Sequence, residues 1–331
     1  MLSFLARRVA YGLVVVAGVV FVLALLVKLV PGDVVEVMAV GNPGFTAADA
    51  ARLREELGVN RSAPAQFVHY AGMLLRGDLG ESFRHRKPVW DLLRERLPAT
   101  LELTLLAMAL AVGIALPLGT LTALRPGTAL DYGGTVFSVL GVATPGFLVG
   151  ILLILVFTIE LNWLPPAGRK GSFVTAAGEA IVRRDAAVFW ASFRYYVMPA
   201  LALALVAAAI NARLIRSAVL EVMRQDFVLF AKAKGLPPRV VYRDHVLRNA
   251  LIPTVTIMGL QLGFLVSGAF IIETVFAWPG LGRLAVEAVH WRDYPLIQGT
   301  VLLSSIMFLA LSLAVDVLYR VLDPRIAYGR R

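Results

Sequence analysis

Residues 9–30 read VAYGLVVVAGVVFVLALLVKLV, an apolar run with Lys28 as its one charged residue. A helix of about 20 apolar residues crosses the hydrocarbon core of a bilayer. Arg7 and Arg8 precede the run as in a signal peptide, but the run is too long for one and no small-residue cleavage site follows it. Lys28 is close enough to one end to reach the membrane surface. The run therefore predicts a permanent membrane span in residues 1–30.

The composition of the whole chain agrees with a membrane protein. Of 331 residues, 59% are hydrophobic and 16% are charged, whereas soluble domains carry about 25% charged residues. The chain contains no cysteine, which excludes disulfides, thiolate metal sites and thiol nucleophiles. Its four histidines form no H-E-x-x-H pair, so we expect no zinc site. The net charge of +10 fits basic residues that flank spans and face anionic lipid, and we expect no nucleic-acid partner.

Six stretches have the length and apolarity of a span. They are residues 9–30, 99–124, 132–159, 197–215, 251–275 and 296–318. The fold class predicted is thus an all-α membrane protein with six spans. We expect an N-terminal span (1–30), an extracytoplasmic loop with short helices (31–98), a core of five spans (99–320) and a C-terminal tail (321–331).

The 31–98 loop shows two helix patterns. Thr46-Ala-Ala-Asp49 is a variant of the capping box and predicts the start of one helix. Residues 64–75 are amphipathic and predict a second, with an apolar stripe of Phe67, Tyr70, Ala71 and Leu74.

Basic residues crowd the span ends on one side of the membrane. These residues are Arg7, Arg8, Arg125, Arg213, Arg216, Arg320 and Arg325. Short cytoplasmic segments beside spans are enriched in Lys and Arg. We therefore expect both termini, and the segment between the fourth and fifth spans, to be cytoplasmic.

Catalytic and nucleotide-binding patterns are absent from the sequence. No G-x-x-x-x-G-K-[ST] motif occurs, so the chain binds no ATP through a P-loop of its own. No serine, histidine and acid grouping can be argued from spacing, which disfavours a membrane enzyme. An ion-coupled carrier, the other alternative, more often has charges deep in its spans, and here they lie near the span ends.

Two of those charges are acidic. Glu102 is expected in the first turn of a helix, where the helix dipole favours an acid. Glu273 is expected at a helix C-terminus, where the dipole disfavours it. It would pair with a base such as Arg283, face the amino group of a peptide, or simply reach water. A functional role and a plain anchoring role remain equally open.

The spans also contain residues that bend helices or bring them close together. Pro117 and Pro145 are predicted to kink the second and third spans. The pairs Gly146/Gly150 and Gly259/Gly263 permit close helix approach. Packing within the chain and an interface with a second membrane subunit are both compatible with these glycines.

The segment between the fourth and fifth spans predicts a helical hairpin. It reads AKAKGLPPRVVYRDHVLRNALIP over residues 231–253. Gly235 is placed to end a helix in a left-handed conformation, and Pro237 or Pro238 starts the next one. Asp244 and Arg248 are spaced as an i,i+4 pair. An apolar stripe at helical spacing precedes the turn and comprises Val219, Leu220, Met223, Phe227, Phe230 and Ala231. We expect this helical hairpin to bind in a groove on another protein.

This hairpin resembles the EAA loop of ABC importer permeases. Further motifs extend the resemblance over nearly the whole chain: LPATLELTLLA (97–107), ATPGFLVG (143–150), RSAVLEVMRQDFVLFAKAKGL (216–236), LRNALIP (247–253), ETVFAWPGLGRL (273–284), RDYPLIQG (292–299) and LDPRI (322–326). Together they are similar to the first permease subunit of dipeptide and oligopeptide importers. The chain departs from the family at Leu229-Phe230, where Arg-Thr is common, and matches loosely in the first outer loop and in residues 160–198.

The resemblance implies a type I ABC importer permease in a bacterial or archaeal plasma (inner) membrane, with both termini cytoplasmic. Its partners would be a second homologous permease, two cytoplasmic ATPase subunits, an extracytoplasmic substrate-binding protein and membrane lipid. ATP and Mg would bind to the ATPases, and this chain would hold no cofactor or metal and have no catalytic residue. The cargo would be di- or oligopeptides, with nickel or glutathione as the alternative.

Two groups of site residues follow. Within a coupling loop at 218–250, contacts with the ATPase are expected from Asp226, Phe230, Ala231, Lys232, Ala233, Lys234, Gly235, Leu236, Arg239 and Arg248. An outer gate of the transport pathway is expected from Glu273, Phe276, Trp278, Pro279 and Gly280.

Overall fold

A computed structural model describes residues 2–29, 35, 46–56 and 62–322, and this part of the chain is almost entirely helical. The first helices are α1 (Leu2–Leu29), α2 (Ala47–Glu56) and α3 (Ala63–Leu75), followed by a two-residue antiparallel pair, β1 (Glu81–Ser82) and β2 (Lys87–Pro88). Both helices predicted in the 31–98 loop are present. The predicted tail lies outside the described residues from 323 onward.

The remaining chain forms the larger helices. They are α4 (Val89–Leu124), α5 (Ala129–Ala143), α6 (Gly146–Ile154) with a π-helical turn (Leu155–Glu160), α7 (Phe173–Arg183), α8 (Ala186–Met223), α9 (Asp226–Ala233), α10 (Pro238–Val240) with a second π-helical turn (Val241–Leu247), α11 (Arg248–Val275), α12 (Leu281–His290) and α13 (Tyr294–Leu322).

Four of the described helices are long and apolar enough to cross a membrane by themselves. Their spans are Ala6–Leu25, Val89–Leu124, Ala186–Met223 and Tyr294–Val317. Two bent pairs also qualify if each counts as one span: Ala129–Ala143 with Gly146–Glu160, and Ile257–Val266 with Ala269–Val275. Six spans are thus the largest number that the described residues supply.

Helices α4 and α8 begin earlier than their apolar stretches predict. Helix α4 starts at Val89 instead of residue 99 and includes Pro98 and Pro117. Helix α8 starts at Ala186 instead of residue 197. Hydropathy marks only the part of a helix that lies in lipid, and polar turns continue the same helix beyond it. The prediction that Glu102 lies in a first helical turn is therefore wrong.

The predicted third span bends sharply before Pro145. Thr144 has an extended ψ of 123°, because a residue before proline avoids the helical region, and Pro145 has ψ 133°. Helices α5 and α6 consequently meet at 103°. Pro145 thus separates two helices, a larger change than the kink predicted from sequence.

The described residues divide into two compact units, and one of them contains residues 98–283 and those described from 310 onward. Its centre is α8, which packs against α5, α6, α7 and α11. The buried face of α8 is lined by alanines: Ala200, Ala202, Ala204, Ala207, Ala208, Ala209 and Ala212. Their small side chains let neighbouring backbones come close, which is how helices pack in a membrane.

The other unit comprises residues 1–97 and 284–309. Here α3 packs against α1. Asp293 accepts hydrogen bonds from Ser82 Oγ (2.6 Å) and the Arg84 amide (3.2 Å), and so ties the β1–β2 turn to the start of α13. Gln298 Nε2 donates to the carbonyl of Leu23 (3.0 Å), which joins α13 to α1.

The close packing of α8 gives a testable prediction at Gly119. A Cβ atom at Gly119 would lie 2.6 Å from the carbonyl oxygen of Ala212 and 2.8 Å from Ile215 Cβ. Overpacking a tight contact costs about 1–3 kcal/mol. We expect Gly119→Ala to lower the melting temperature of the purified protein in detergent.

Gly113 on the same helix is the matched control. No atom lies within 4 Å of a Cβ built there, so we expect Gly113→Ala to leave the melting temperature unchanged or to raise it. Equal effects of the two substitutions would contradict close packing at Gly119.

Candidate functional site

The hairpin between α8 and α11 turns at Gly235. This residue has φ +74°, which confirms the predicted left-handed conformation. The amide of Gly235 donates to the Lys232 carbonyl (2.9 Å) and the Leu236 amide donates to the Ala231 carbonyl (3.4 Å). These bonds close α9, and Pro237 and Pro238 then begin α10. The turn is therefore fixed by backbone geometry.

One face of the hairpin is anchored in the core of its unit. Val228 and Ala231 of α9, and Val241 and Val246 of the π-helical turn, are buried in the same cluster as Val219 of α8. The two arms of the hairpin are thus held by apolar contacts to the helix that precedes them.

The opposite face is apolar and exposed. We call the exposed residues Phe227, Leu229, Phe230, Leu236 and Val240 the hairpin apex. Phe230 has 62% of its surface exposed, and Lys234 Nζ lies 4.6 Å from the centre of its ring. An apolar surface of this kind on a rigid support is typical of a site that binds another protein.

The apolar stripe predicted along residues 219–231 is divided between two helices. Helix α8 ends at Met223, and α9 begins only at Asp226. Val219 and Ala231 therefore face the core, whereas Phe227 and Phe230 belong to the exposed apex. The helical spacing of the stripe predicted one continuous helix through residues 219–231, and this prediction was wrong.

Of the charged residues expected to contact an ATPase, Asp226, Lys232, Lys234, Arg239 and Arg248 are all exposed. They surround the hairpin apex in the sequence, as does the exposed Ala233.

The predicted pairing of Asp244 with Arg248 is wrong. Asp244 lies 3.6 Å from Arg243 Nε instead. The prediction assumed α-helical geometry, whereas residues 241–247 form a π-helical turn with i→i+5 hydrogen bonds.

The sequence did not predict an ion pair that lies near the hairpin. Arg216 of α8 donates from Nε and Nη2 to the two carboxylate oxygens of Asp131, at 2.7 and 3.0 Å. Asp131 also accepts from the Gly127 amide (3.0 Å). This two-bond contact braces the start of α5 against the last part of α8. No pattern in the sequence relates residues so far apart.

The predicted outer-gate segment is centred on the Glu273 carboxylate, which is fully buried. Oε1 accepts from Thr100 Oγ1 (2.7 Å), and the amides of Gly282 and Arg283 donate to the carboxylate, the latter at 3.0 Å. Free amides in the first turn of a helix favour an acidic partner. Glu273 therefore caps the N-terminus of α12. These favourable contacts offset its unfavourable position at the C-terminus of α11.

This geometry decides among the expectations for Glu273. The alternative in which it reaches water is wrong, because its side chain is buried. Arg283 is its partner, but through the backbone amide, while the Arg283 guanidinium donates to the Ala277 carbonyl (2.8 Å). The contacts are those of an anchoring residue.

The other predicted gate residues pack around this carboxylate. Trp278 is buried and donates from Nε1 to the Ala99 carbonyl (3.0 Å). Phe276 is also buried, and its carbonyl accepts from the Gly168 amide (2.8 Å). A Cβ at Gly280 would overlap the Glu273 carboxylate, so only glycine fits beside Pro279. Residues 276–280 are thus closely packed around this carboxylate.

A second polar cluster adjoins Trp278. Glu102 accepts hydrogen bonds from Arg169 Nη2 (2.7 Å), Ser172 Oγ (2.5 Å) and the Tyr196 hydroxyl. The Tyr196 and Trp278 rings meet edge to face at 4.5 Å. Burial lowers the pKa of Arg169, but its hydrogen bonds to Tyr196 and Glu102 outweigh this and raise the pKa. The guanidinium therefore stays charged and ties the loop before α7 to α4 and α8.

Neither cluster has the composition of a metal centre. No group of three or more His, Asp or Glu side chains that could hold a metal ion occurs in residues 2–29, 35, 46–56 and 62–322. The residues so far described anchor helices or form the exposed apolar surface of the hairpin apex.

Two family models match the chain. The model described as "Binding-protein-dependent transport system inner membrane component" matches residues 115–328. The model described as "Binding-prot-dependent transport system membrane comp, N-term" matches residues 1–104. Together they account for most of the sequence.

Relatives are similar over their full length. The di/tripeptide transport system permease protein DppB of Pseudomonas aeruginosa is 38% identical over 339 residues, covering 100% of both chains. The glutathione transport system permease protein GsiC of Salmonella typhimurium is 38% identical over 329 residues, covering 99% of this chain and 100% of that protein.

Among solved structures, the inward-facing MetNI methionine ABC transporter is similar in fold. Its TM-score is 0.53 at 20% identity, with 70% of this chain and 96% of that chain covered.

The turn at Gly235 gives a prediction for the hairpin. No atom lies within 4 Å of a Cβ at this position, so a substitution acts through backbone strain alone. A non-glycine residue in the left-handed region costs about 1–2 kcal/mol, and a β-branched one resists it most. We expect Gly235→Val to insert in the membrane normally but to lose both pull-down of an ATPase subunit and stimulated ATP hydrolysis.

Gly235→Asn is the matched control, because asparagine tolerates this conformation. It should retain most of the pull-down. Normal coupling in the Gly235→Val protein would show that the shape of the turn is not needed.

The Glu273 contacts give a second prediction. Glu273→Gln keeps the shape of the side chain but replaces one acceptor by a donor that faces amide and hydroxyl donors. A buried unsatisfied group costs about 1–3 kcal/mol, so we expect a lower melting temperature and reduced uptake. Glu160→Gln, at an exposed position, should change neither. A Glu273→Gln protein as stable as the unmodified one would argue against the capping role.

Proposed function

The chain belongs to the family of binding-protein-dependent transport system inner membrane components, and from this we propose that it carries di- or oligopeptides across the membrane. It is a multi-pass permease subunit of an ABC importer in the inner membrane, and its role is transport, not catalysis. Like other permeases of this kind, it works with an ATPase and a binding protein.

We propose a finer composition for the complex. One copy of this chain would pair with a second, homologous permease, and each permease would contact one of two cytoplasmic ATPases, which bind the ATP and Mg. The hairpin apex supports the ATPase contact, because it is apolar, exposed and rigidly joined to α8. A force on the apex would be carried along α8. Nearer its N-terminus, the Tyr196 ring of this helix packs against the Trp278 ring.

The peptide cargo rests on one observation, the match over the full length of both chains to a di/tripeptide permease at 38% identity. Glutathione is the second candidate, because a glutathione permease is equally identical over 99% of this chain. The two candidates are related chemically, since glutathione is itself a tripeptide with one unusual linkage. Nickel is the remaining alternative.

ATP-driven uptake tests the proposal. The chain would be purified with its co-isolating permease, ATPases and binding protein, and reconstituted in proteoliposomes. We expect radiolabelled di- and tripeptides to accumulate with ATP but not with a non-hydrolysable analogue. Uptake of glutathione without peptides would favour the second candidate. Uptake driven by an ion gradient without ATP would overturn the ABC mechanism.

The proposed orientation can be tested because the chain contains no cysteine. Gln225 at the hairpin and Lys170 in the loop before α7 are both exposed. A membrane-impermeant thiol reagent added to intact cells should label Lys170→Cys and spare Gln225→Cys, because only the former would face outward. After permeabilisation both should react. The opposite pattern in intact cells would place the hairpin and both termini outside.

A further inference from the structure

Helix α3 has an unusual composition for a segment expected to lie in water. Its sequence, APAQFVHYAGMLL, contains no Asp, Glu, Lys or Arg. Its polar side chains Gln66 and Tyr70 are buried and His69 is half-buried, whereas its exposed positions, including Val68 and Leu75, are apolar. An amphipathic helix on a water-exposed surface has the reverse pattern.

The inner face of α3 packs on a membrane span. Phe67 and Tyr70 of α3 join a cluster with Val20 and Leu23 of α1. Phe67 also meets Phe21 of α1 edge to face, with ring centres 5.8 Å apart. The stripe predicted for this helix therefore does face a partner, and that partner is α1.

These contacts place α3 at membrane depth. The span in α1 is Ala6–Leu25, and the α1 residues in the cluster shared with α3 range from Val16 to Leu23. At 1.5 Å per residue, Val16 lies about 14 Å and Leu23 about 3 Å from the end of that span. One leaflet of the hydrocarbon core is about 15 Å thick. Helix α3 thus lies beside the half of α1 that leads into residues 31–98.

A third helix supports the same depth. Leu302 of α13 belongs to the cluster that α3 and α1 form, and it falls within the span Tyr294–Val317. Helix α3 therefore shares a core cluster with the membrane-crossing segments of two helices, although it was expected in an extracytoplasmic loop.

We propose that α3 is embedded in this leaflet and that its outward face binds lipid acyl chains. Val68 has 67% and Leu75 has 90% of its surface exposed, and the span in α1 is likewise apolar and exposed at Val14 and Val22. Exposed Arg76 and Asp78 follow the helix directly, where the chain returns to the headgroups. A short apolar helix of this kind lies in the membrane without crossing it.

Nitroxide labels at single cysteines test the proposal in the assembled complex in lipid nanodiscs. Val68→Cys and Leu75→Cys report on α3, and both positions are exposed, so a label disturbs no buried contact. Val14→Cys on the span is the lipid control. Arg86→Cys, exposed in the β1–β2 turn, is the water control. Collision with oxygen, which concentrates in lipid, is compared with collision with a water-soluble nickel chelate.

We expect both α3 labels to resemble the Val14 label, with oxygen collisions exceeding those with the nickel chelate by severalfold. Preference for the nickel chelate, as at Arg86, would place α3 in water and overturn the proposal. Low accessibility to both reagents would show that a protein covers this face, and would overturn it equally. If one labelled variant has a lower melting temperature than the unlabelled complex, the label at the other α3 position provides the test. The result is independent of which side of the membrane residues 31–98 occupy.

Discussion

The close approach of small residues along α8 is the contact on which the larger unit of this permease depends. Lipid tails are as apolar as leucine, so helices in a bilayer gain little by burying apolar surface and must gain from tight packing instead. The alanine face of α8 provides this contact, together with glycines on its neighbours, among them Gly119 and Gly141, which approach Ala212 and Ala209. Larger side chains at these points would separate the helices.

Both candidate sites are supported by this helix. Near its N-terminal end Tyr196 binds Glu102 and packs on Trp278. Near its C-terminal end Val219 and Val222 lie in the core that anchors the hairpin. With 38 residues, α8 is about 57 Å long. One continuous helix, with Pro199 inside it, therefore connects the core that anchors the hairpin with the closely packed segment at residues 276–280.

The sequence predicted the features that depend on local patterns. Apolar length indicated the spans, and glycine followed by two prolines indicated the turn at Gly235. Helix ends were predicted less well, because hydropathy reports on lipid contact and not on hydrogen bonding, so α4 and α8 extend beyond their apolar parts. The role of Glu273 depends on Thr100, 173 residues away, and Asp131 pairs with Arg216 across 85 residues. Such pairs arise only when the helices are packed, and spacing along one chain does not reveal them.

The π-helical turn at Val241–Leu247 determines which face of the following helix, α11, points into the core. A π-helical turn accommodates one residue more than an α-helical turn. Because each residue of an α-helix advances the chain by about 100°, removing one residue here would turn the start of α11 by that angle about its axis. Buried Ala250 and Thr254 would then rotate out of the core, although every motif on either side would be intact. Among homologous permeases, insertions and deletions in this arm should therefore be rare compared with substitutions, and a length change there should coincide with compensating changes along α11.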